Sequence, residues 1–361
     1  MKKQVKRVLA IANTTYQIIV LLYLKESVYQ DYEFELVITN KTPLLKSIFV
    51  EGKIKRYFAK VYFADSTRIK NKKKGSIQTF WESFVYNRTT KRLLGTDLDY
   101  YEQLLYASPI GVDEITKEIS KTLIKNNPKI KISRFEDGFG SYTSFSGHIV
   151  STDLGRRMYQ RILGFQNMIQ ENTLYLFEPK LAKEVQGYHL KKIPRDHQTV
   201  LEQAKDIFNY KKSHITEKFI FFGQGTKEFI QNVETYQSMV YKIADIVTGD
   251  NLIVKRHPRS MWDEFDASIH QLQVEYPWEL LESEDSMQEK VLISFSSTAC
   301  ITGKLLYHSN NHVIFLYPLA RNSFQVSVDF EEYFKKVASY YSNIHIAKSQ
   351  EDLLEILRKL C

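Results

Sequence analysis

The sequence predicts an α/β protein of two domains, each built around a parallel sheet. Short apolar runs of strand length alternate with longer stretches of helical periodicity through most of the chain, as is typical of parallel sheets. The alternation breaks at residues 185–216, where polar and basic residues dominate, and then resumes. Because 361 residues exceed the usual size of one domain, we predict domains at residues 1–190 and 217–361, joined by a linker at 191–216.

Apolar runs rich in β-branched and aromatic residues predict strands, and the longer stretches between them predict helices. In the first domain the predicted strands are Val8–Ala12, Phe34–Ile38, a run within Lys55–Phe63, Gln103–Ala107 and Lys129–Ser133. The predicted helices there are Tyr16–Tyr29, Leu44–Glu51 and Val112–Lys125, with a further helical run near Val200–Phe208 at the junction. In the second domain the predicted strands are Lys218–Phe222, Leu252–Lys255, Val291–Phe295 and His312–Tyr317, and helices are expected up to Thr248, directly after Phe295 and at Glu351–Leu360. Two such units in succession predict a ligand cleft between them.

The composition favours particular partners and one compartment. A net charge of +8 favours anionic partners, such as nucleotides, acidic sugars, nucleic acid or an anionic membrane face. The basic segment Lys70–Lys74 is either solvated surface or a contact for an anionic membrane or acceptor. Cys300 and Cys361 supply neither a disulfide framework nor zinc-site spacing, so a reducing cytoplasm fits. The basic N-terminus imitates a signal peptide, but Asn13–Gln17 interrupts its apolar run, and we expect no membrane span.

Two adjacent carboxylates, Glu136 and Asp137, follow the predicted strand Lys129–Ser133 within the segment Arg134–Gly140. Repulsion between neighbouring carboxylates raises the pKa of one of them. A base with a pKa near neutrality can take a proton from a sugar hydroxyl. The segment therefore predicts a general-base loop, although an ordinary turn is the alternative, since Asp-Gly is common turn chemistry.

The strand Leu252–Lys255 runs directly into His257 and Pro258, with Arg256 and Arg259 beside them. Proline cannot continue the hydrogen-bond ladder, so the strand ends there. The carboxyl ends of strands in an α/β sheet face the crevice where ligands bind. His257 could therefore meet a phosphate as a titratable donor among cations, and a structural histidine paired to the surface is the alternative.

A second group of polar residues follows the predicted strand that ends at Phe295. Ser296, Ser297 and Thr298 open the next helix. Hydroxyls and free backbone N–H groups at a helix N-terminus can bind an anion. Simple helix capping is an alternative that is compatible with anion binding.

Two further segments suit the base and sugar of a nucleotide. Gly223, Gln224 and Gly225 follow a predicted strand and allow close backbone approach to a base or sugar. Glu279, which also follows an apolar segment, could accept hydrogen bonds from ribose hydroxyls. Together with the base loop and the phosphate-facing residues, this set predicts a glycosyltransferase that uses a nucleotide-activated sugar.

Other candidates carry less chemical information. Asn13, Thr14 and Gln17 lie at the first strand-to-helix turn, where they could bind a sugar or simply cap the helix. Asp97 and Asp99 match the D-x-D pattern of metal-dependent glycosyltransferases, but they precede a strand instead of ending one, so we interpret the match as incidental.

The motif order resembles that of bacterial sialyltransferases of the GT-B fold, which carry D/E-D/E-G, H-P and Ser-Ser or Ser-Thr motifs. These stand here as Glu136-Asp137-Gly138, His257-Pro258 and Ser296-Ser297, all within residues 130–300. Pro277-Trp278-Glu279 matches the P-x-E ribose-binding segment of related enzymes. The opening strand with its Asn-Thr-x-Tyr-Gln turn is similar to glycosyltransferase family 52, which includes lipooligosaccharide and capsule sialyltransferases.

The resemblance implies two Rossmann-like domains facing across a cleft, CMP-sialic acid as donor, inversion at the anomeric carbon, and neither metal nor cofactor. CMP is a leaving group with a single phosphate, so hydroxyls, backbone N–H groups and His257 can neutralise its developing charge. By the same resemblance Glu136 is expected to be the base, with Asp137 as the second choice. The expected donor contacts are Ser296 and Ser297 for the phosphate, Glu279 for the ribose, Gly223–Gly225 for the cytosine, and the charges of Lys255 and Arg259.

We therefore expect a sialyltransferase that acts on a galactose-terminated capsule or lipooligosaccharide glycan, by α2,3 linkage, in the cytoplasm or on the inner membrane face. Two alternatives stay open. One is a glycosyltransferase with a UDP-sugar donor on the same scaffold, and the other is a non-catalytic binder of anionic polysaccharide or nucleic acid. We do not expect nucleic acid as the partner of the enzyme, and the oligomeric state is open, with a homodimer as one alternative.

Overall fold

The computed structural model describes residues 5–68, 86–107, 114–143, 172–183, 188–195, 198–223, 233–257, 265–266, 268–272, 274, 276–320 and 326–361. The chain divides into two units, residues 1–210 and 211–361. The segment 191–216, which the sequence predicts to be a linker, contains the end of the strand Tyr188–Lys192 and the helix Gln198–Ile207. Both of these elements belong to the first unit.

In the first unit, the described residues form one parallel sheet of seven strands. The strands are β1 Lys6–Ala12, β2 Tyr32–Thr39, β3 Lys60–Ala64, β4 Gln103–Tyr106, β5 Lys131–Phe135, β6 Asn172–Leu176 and β7 Tyr188–Lys192. Their order across the sheet is β3-β2-β1-β4-β5-β6-β7. β1 lies inside the sheet, and its last five residues are buried, which accounts for the unbroken apolar run in the sequence.

The described part of the first unit also contains five α-helices. They are α1 Thr15–Ser27, α2 Pro43–Glu51, α3 Tyr86–Leu94, α4 Glu114–Asn126 and α5 Gln198–Ile207. α1 is buried over eight consecutive residues, 17–24, because it is apolar around its whole circumference. The hydroxyl of Thr14 caps its first turn by accepting from the Gln17 N–H at 3.2 Å.

Strand β5 begins and ends two residues later than predicted. It continues to Phe135, so Arg134 is a buried strand residue and not part of the loop. The Arg134 guanidinium donates to the carbonyl of Ala107, with its Nη2 at 2.9 Å, so its charge serves the packing of β5. Strands β6 and β7 were not predicted from the sequence; β7 is rich in basic residues and forms the edge of the sheet, so it lacks an apolar pattern.

In the second unit, the described residues form a parallel sheet of six strands in the order β10-β9-β8-β11-β12-β13. The strands are β8 Phe219–Phe222, β9 Leu252–Lys255, β10 His270–Leu272, β11 Val291–Ser294, β12 His312–Phe315 and β13 Ile344–Ile346. The helices are α6 Val233–Val247, α7 Trp278–Glu282, α8 Ala299–Tyr307, α9 Val328–Tyr340 and α10 Gln350–Leu360. Strands β10 and β13 were not predicted, because runs of three residues at a sheet edge leave no periodic signal.

Each sheet has one point where the chain reverses its direction of winding. It lies between β1 and β4 in the first unit and between β8 and β11 in the second. In open α/β sheets, ligands bind outside the carboxyl ends of the strands at such a point. The turn after β1 and the loops after β8 and β11 therefore occupy the positions where this architecture binds ligands. Within the described residues, none of the helices is both long and apolar enough to span a bilayer.

Candidate active site

The candidate residues of the first unit centre on the carboxylate of Glu136, the residue directly after β5. Its side chain is 0% exposed, and it accepts three hydrogen bonds. The Tyr16 hydroxyl donates to Oε1 at 2.6 Å, the Tyr142 hydroxyl donates to Oε2, and the backbone N–H of Phe177 donates to Oε2 at 2.9 Å. The carboxylate is thus fixed by groups from α1, from its own loop and from the end of β6.

The charge state of Glu136 follows from this enclosure. Burial raises the pKa of its carboxyl group above the ordinary value, against the opposing effects of the three hydrogen bonds and the positive charge of Arg195. Arg195 donates to the Phe177 carbonyl at 3.0 Å and pairs with the buried Glu178 at 3.3 Å. Since Glu178 offsets part of the Arg195 charge, burial remains the dominant influence on Glu136. A raised pKa is what a general base operating near neutrality requires.

Asp137 is in a different setting on the same loop. Its side chain is partly exposed, and its backbone N–H donates to the Ser141 hydroxyl at 2.8 Å. The next residue, Gly138, has a φ of +78°, in the region that residues with side chains rarely adopt, so the turn requires glycine here. The Asp-Gly pair therefore forms the turn expected from its chemistry, and this turn also directs the two carboxylates into different environments.

The polar residues of the first turn, Asn13, Thr14 and Gln17, hold that turn together. Asn13 Oδ1 accepts from the Thr39 hydroxyl at 2.7 Å, and Gln17 Oε1 accepts from the Asn13 N–H at 2.6 Å. Thr14 caps the helix, as one of its two interpretations predicted, whereas Asn13 and Gln17 are buried and make the other contacts of the turn. Sugar binding by these three residues remains a prediction.

The turn also positions a residue that the sequence analysis missed. Tyr16 lies between Thr14 and Gln17 and is partly exposed, yet its hydroxyl reaches Glu136 across 120 residues of sequence. The signal that could have found it was the Asn-Thr-x-Tyr-Gln turn itself, in which the tyrosine is the large polar residue without a capping role. No signal in the sequence indicated Tyr142 or Arg195.

The second unit has its own candidate residues, in loops after three neighbouring strands of its sheet. Gly223 follows β8, His257 follows β9, and the Ser296–Thr298 segment follows β11. Gly223 donates its N–H to the Lys255 carbonyl at 3.0 Å, which joins the loops after β8 and β9. His257 is partly exposed. The structure therefore brings these predicted donor-binding residues to the carboxyl ends of neighbouring strands in one sheet, at its winding reversal.

The start of α8 suits an anion. Thr298 occupies the N-cap position, and its side chain makes no capping hydrogen bond. Ser296, Ser297 and Thr298 are all partly exposed. The Ser297 N–H donates to the Ser294 hydroxyl at 2.8 Å, which fixes the path of the loop as it leaves β11. Backbone N–H groups at the start of a nine-residue helix carry partial positive charge, so this position favours a phosphate.

Lys255 and Glu279 are more buried than their predicted donor contacts suggested. Lys255 is 8% exposed, and burial lowers the pKa of its ammonium group. Glu279 lies in the first turn of α7 and is 6% exposed; burial raises the pKa of its carboxyl, which Thr302 and the charge of Lys255 oppose. The contacts of these two residues with a ribose or a phosphate remain predictions.

A buried network below α7 was not visible in the sequence. Glu282 is 0% exposed and accepts from the Trp278 indole N–H at 2.9 Å and from the Asn311 amide at 3.0 Å. Burial raises the pKa of Glu282 to about 7. A Cβ on Gly303 would overlap the Glu282 carboxylate, so α8 can approach α7 only because this residue is glycine. The network holds in place the short helix that carries Glu279.

Some predicted residues are not among those that the structure describes. Gln224, Gly225, Pro258 and the basic segment Lys70–Lys74 lie outside the described residues. The two aspartates of the D-x-D match have ordinary surface partners: Asp97 pairs with Lys91 at 2.7 Å and Asp99 with Arg7 at 3.0 Å.

Two Rossmann-like units with polar loops at the carboxyl edges of parallel sheets define the GT-B class of fold. Solved structures with this architecture include UGT89C1 of Arabidopsis thaliana with UDP-L-rhamnose, with a TM-score of 0.52 and 8% identity over 95% of this chain and 85% of that one. The UDP-GlcNAc 2-epimerase of Methanocaldococcus jannaschii has a TM-score of 0.53 and 14% identity over 98% and 92% of the two chains. A UDP-glucosyltransferase of Polygonum tinctorium has a TM-score of 0.53 and 10% identity over 99% of this chain and 90% of that one. The predicted GT-B fold is thereby confirmed.

The sequence matches the model of the alpha-2,8-polysialyltransferase family over residues 9–314. The match spans most of the chain, and the protein belongs to this family. It is therefore a glycosyltransferase of the sialyltransferase class, as the order of its motifs predicted. This match does not confirm the narrower resemblance to glycosyltransferase family 52. A search of the curated proteins found no match to the sequence.

Proposed function

We propose that the protein transfers sialic acid from CMP-sialic acid to a glycan acceptor, with inversion at the anomeric carbon and without a metal. The observation that carries the proposal is the arrangement of the second sheet. The loops after β9, β8 and β11 are neighbours and contain a histidine, a glycine and three hydroxyl residues in the positions where α/β sheets bind nucleotides. The family match spans this set and Glu136.

In this proposal the second unit binds the donor. The start of α8 and the hydroxyls of Ser296 and Ser297 bind the single phosphate of CMP, and His257 donates a hydrogen bond or a proton to it as it leaves. These groups offset the charge that develops on a monophosphate, which is the task a metal performs for a diphosphate. Gly223 and its loop are assigned to the cytosine, and Glu279 to the ribose.

The first unit supplies the base. We assign Glu136 as the proton acceptor, because burial raises the pKa of its carboxyl group, as general-base catalysis near neutrality needs. Asp137 is the second candidate, supported by its partly exposed side chain. Comparing Glu136→Gln with Asp137→Asn separates them: only the variant of the true base should lose transfer by about 100-fold or more.

For the acceptor, the family description favours an α2,8 linkage to a terminal sialic acid over the α2,3 linkage to galactose that the motif resemblance predicted. The net charge of +8 suits a chain of sialic acids, each of which carries a carboxylate. We place the reaction in the cytoplasm, where a capsule or lipooligosaccharide glycan could be extended at the inner membrane face. A sialyl-terminated and a galactose-terminated oligosaccharide, offered separately, distinguish the two linkages when the products are treated with linkage-selective sialidases.

The experiment is a transfer assay with purified protein, CMP-sialic acid and both acceptors in EDTA. Product with either acceptor supports the sialyltransferase proposal, and no product, or product only after a metal is added, contradicts it. Thermal shifts with CMP and with UDP test the alternative of a UDP-sugar donor. Steep salt dependence of glycan binding without transfer would indicate the non-catalytic binder.

A matched pair of variants tests the donor half. His257→Ala should lower kcat by about 100-fold or more, because it removes a group that stabilises the departing phosphate. His270→Ala is the control, since His270 is an exposed histidine of the same unit at the amino end of β10. If both variants keep the wild-type rate, the assigned phosphate site is wrong.

A further inference from the structure

Glu136 is enclosed, so it cannot touch an acceptor hydroxyl directly in the state that the structure shows. Its side chain is 0% exposed, and its three hydrogen-bond donors occupy both carboxylate oxygens. A base must lie within hydrogen-bond distance of the proton it takes, or be linked to it through one intervening group. A proton that reaches Glu136 must therefore pass through one of its partners.

The three donors differ in exposure. Tyr142 is 1% exposed and Phe177 is 0% exposed. Within the described residues, Tyr16 is the partner of Glu136 that is partly exposed, and its hydroxyl is 2.6 Å from Oε1. Tyr16 also lies in the first turn of α1, directly after the turn that follows β1 at the winding reversal of the first sheet, where a ligand is expected.

We propose that Tyr16 is a catalytic residue that relays the acceptor's proton to Glu136; the inference rests on the proposed transfer and on Glu136 as its base. As the acceptor oxygen attacks the anomeric carbon of the donor, its O–H bond breaks and the proton moves to the Tyr16 oxygen. In the same step the Tyr16 proton moves to Oε1 of Glu136. The new C–O bond forms, the bond to CMP breaks, and CMP leaves with the electron pair.

The relay gives Tyr16 a property that a purely structural tyrosine lacks. It places two protons in motion, one between the acceptor and Tyr16 and one between Tyr16 and Glu136, and the proton that Tyr16 loses is replaced in the same step. A tyrosine that only holds the carboxylate would leave a single proton in motion.

The chain offers a matched control for removing this hydroxyl. Tyr62 also donates to a buried glutamate of the first unit, Glu35, at 2.8 Å. Glu35 also binds Arg7 near the start of β1 and Tyr101 just before β4, so this cluster is on the amino side of the sheet. Tyr62→Phe therefore removes the same kind of hydrogen bond away from the carboxyl ends of the strands, where the proposed site lies.

The test compares single-turnover sialyl transfer by the wild-type protein, Tyr16→Phe and Tyr62→Phe, using the acceptor on which the wild type is active. We expect the single-turnover rate constant to fall by about 100-fold in Tyr16→Phe and to stay within about twofold of the wild-type value in Tyr62→Phe. The thermal shift caused by CMP should be equal in all three proteins. A fall of less than about 30-fold in Tyr16→Phe overturns the relay.

The wild-type protein supplies an independent measurement that does not depend on how a variant folds. Single-turnover rates in mixtures of H2O and D2O should follow a curved proton inventory, because two protons move in one step, and a linear inventory overturns the relay. Wild-type protein that transfers sialic acid to neither acceptor would instead contradict the proposed function. If the wild type transfers and Glu136→Gln does so equally well, the assigned base is wrong.

Discussion

Two buried glutamates of the first unit, Glu35 and Glu136, both accept hydrogen bonds from tyrosines but differ in the charge of their other partners. Glu35 in β2 accepts hydrogen bonds from the hydroxyls of Tyr62 and Tyr101, at 2.8 and 2.6 Å, and Glu136 accepts from Tyr16 and Tyr142. Glu35 is also bonded directly to the guanidinium of Arg7. Within the described residues, the hydrogen-bond donors of Glu136 are all neutral.

The difference lies in the charge of the partner and in the edge of the sheet. A guanidinium partner holds a carboxylate by its opposite charge, whereas burial among neutral donors makes a carboxylate easier to protonate. Arg7 also lies 4.9 Å from the Tyr101 ring centroid, so the cluster around Glu35 links β1, β2, β3 and the segment that precedes β4. The comparison indicates that Glu136 is suited to proton transfer and that Glu35 contributes to the packing of the sheet.

The largest expected effect separates the two glutamates by activity. Glu136→Gln should lower kcat by about 10²–10⁴-fold, the usual contribution of a general base. Glu35→Gln should leave kcat within about twofold at temperatures where the protein is folded. Sialyl transfer by both variants under one set of conditions measures the contrast, and equal losses would remove it.

The next effect separates them by stability. Glu35→Ala should lower the free energy of unfolding by about 3 kcal/mol, because it leaves the Arg7 guanidinium and two tyrosine hydroxyls without their shared acceptor. Urea unfolding, monitored by a signal from the first unit, gives the value. A loss below about 1 kcal/mol would show that Arg7 is satisfied by its other partners, Glu33 and Asp99.

A smaller loss of stability is expected when single hydrogen bonds to Glu35 are removed. Tyr62→Phe and Tyr101→Phe should each cost about 1–2 kcal/mol, since each removes a hydrogen bond to a charged acceptor. The double variant should differ from the sum of the single ones, because both hydroxyls share Oε2 of Glu35. Strict additivity in urea unfolding would mean that the two bonds are independent.

The smallest expected effects are shifts along the pH axis at Glu136. Its raised pKa means that the folded state is favoured while the group is protonated, and that this contribution is lost as pH rises through the folded pKa. The stability of Glu136→Gln relative to the wild type should therefore increase with pH across this range.

The same raised pKa should be visible in the dependence of the transfer rate on pH. The acidic limb of this profile should lie at a higher pH than the pKa of an ordinary glutamate. It should move to still higher pH in Tyr142→Phe, because this variant loses a hydrogen bond that favours the charged form of Glu136. Profiles that do not move would contradict this role of Tyr142.

The sequence predicted the architecture well where apolar periodicity was strong. The central strands β1, β8, β9 and β11 were found because parallel strands buried on both faces leave unbroken apolar runs. The edge strands β7, β10 and β13 were missed because a strand that is partly exposed or only three residues long lacks that signal.

The same division holds for the candidate site. The sequence by itself determined which loops are candidates for the chemistry, because Glu136-Asp137-Gly138, His257 and Ser296-Ser297 each follow a strand, and strand ends can be located from local pattern. Only the tertiary structure decided that Glu136 is enclosed, that Asp137 is partly exposed and that Tyr16 contacts the first of them. The physical reason is that burial and hydrogen bonding depend on which distant segments meet. Tyr16 and Glu136 are brought together by the packing of α1 and β5 and by no feature that either segment shows alone.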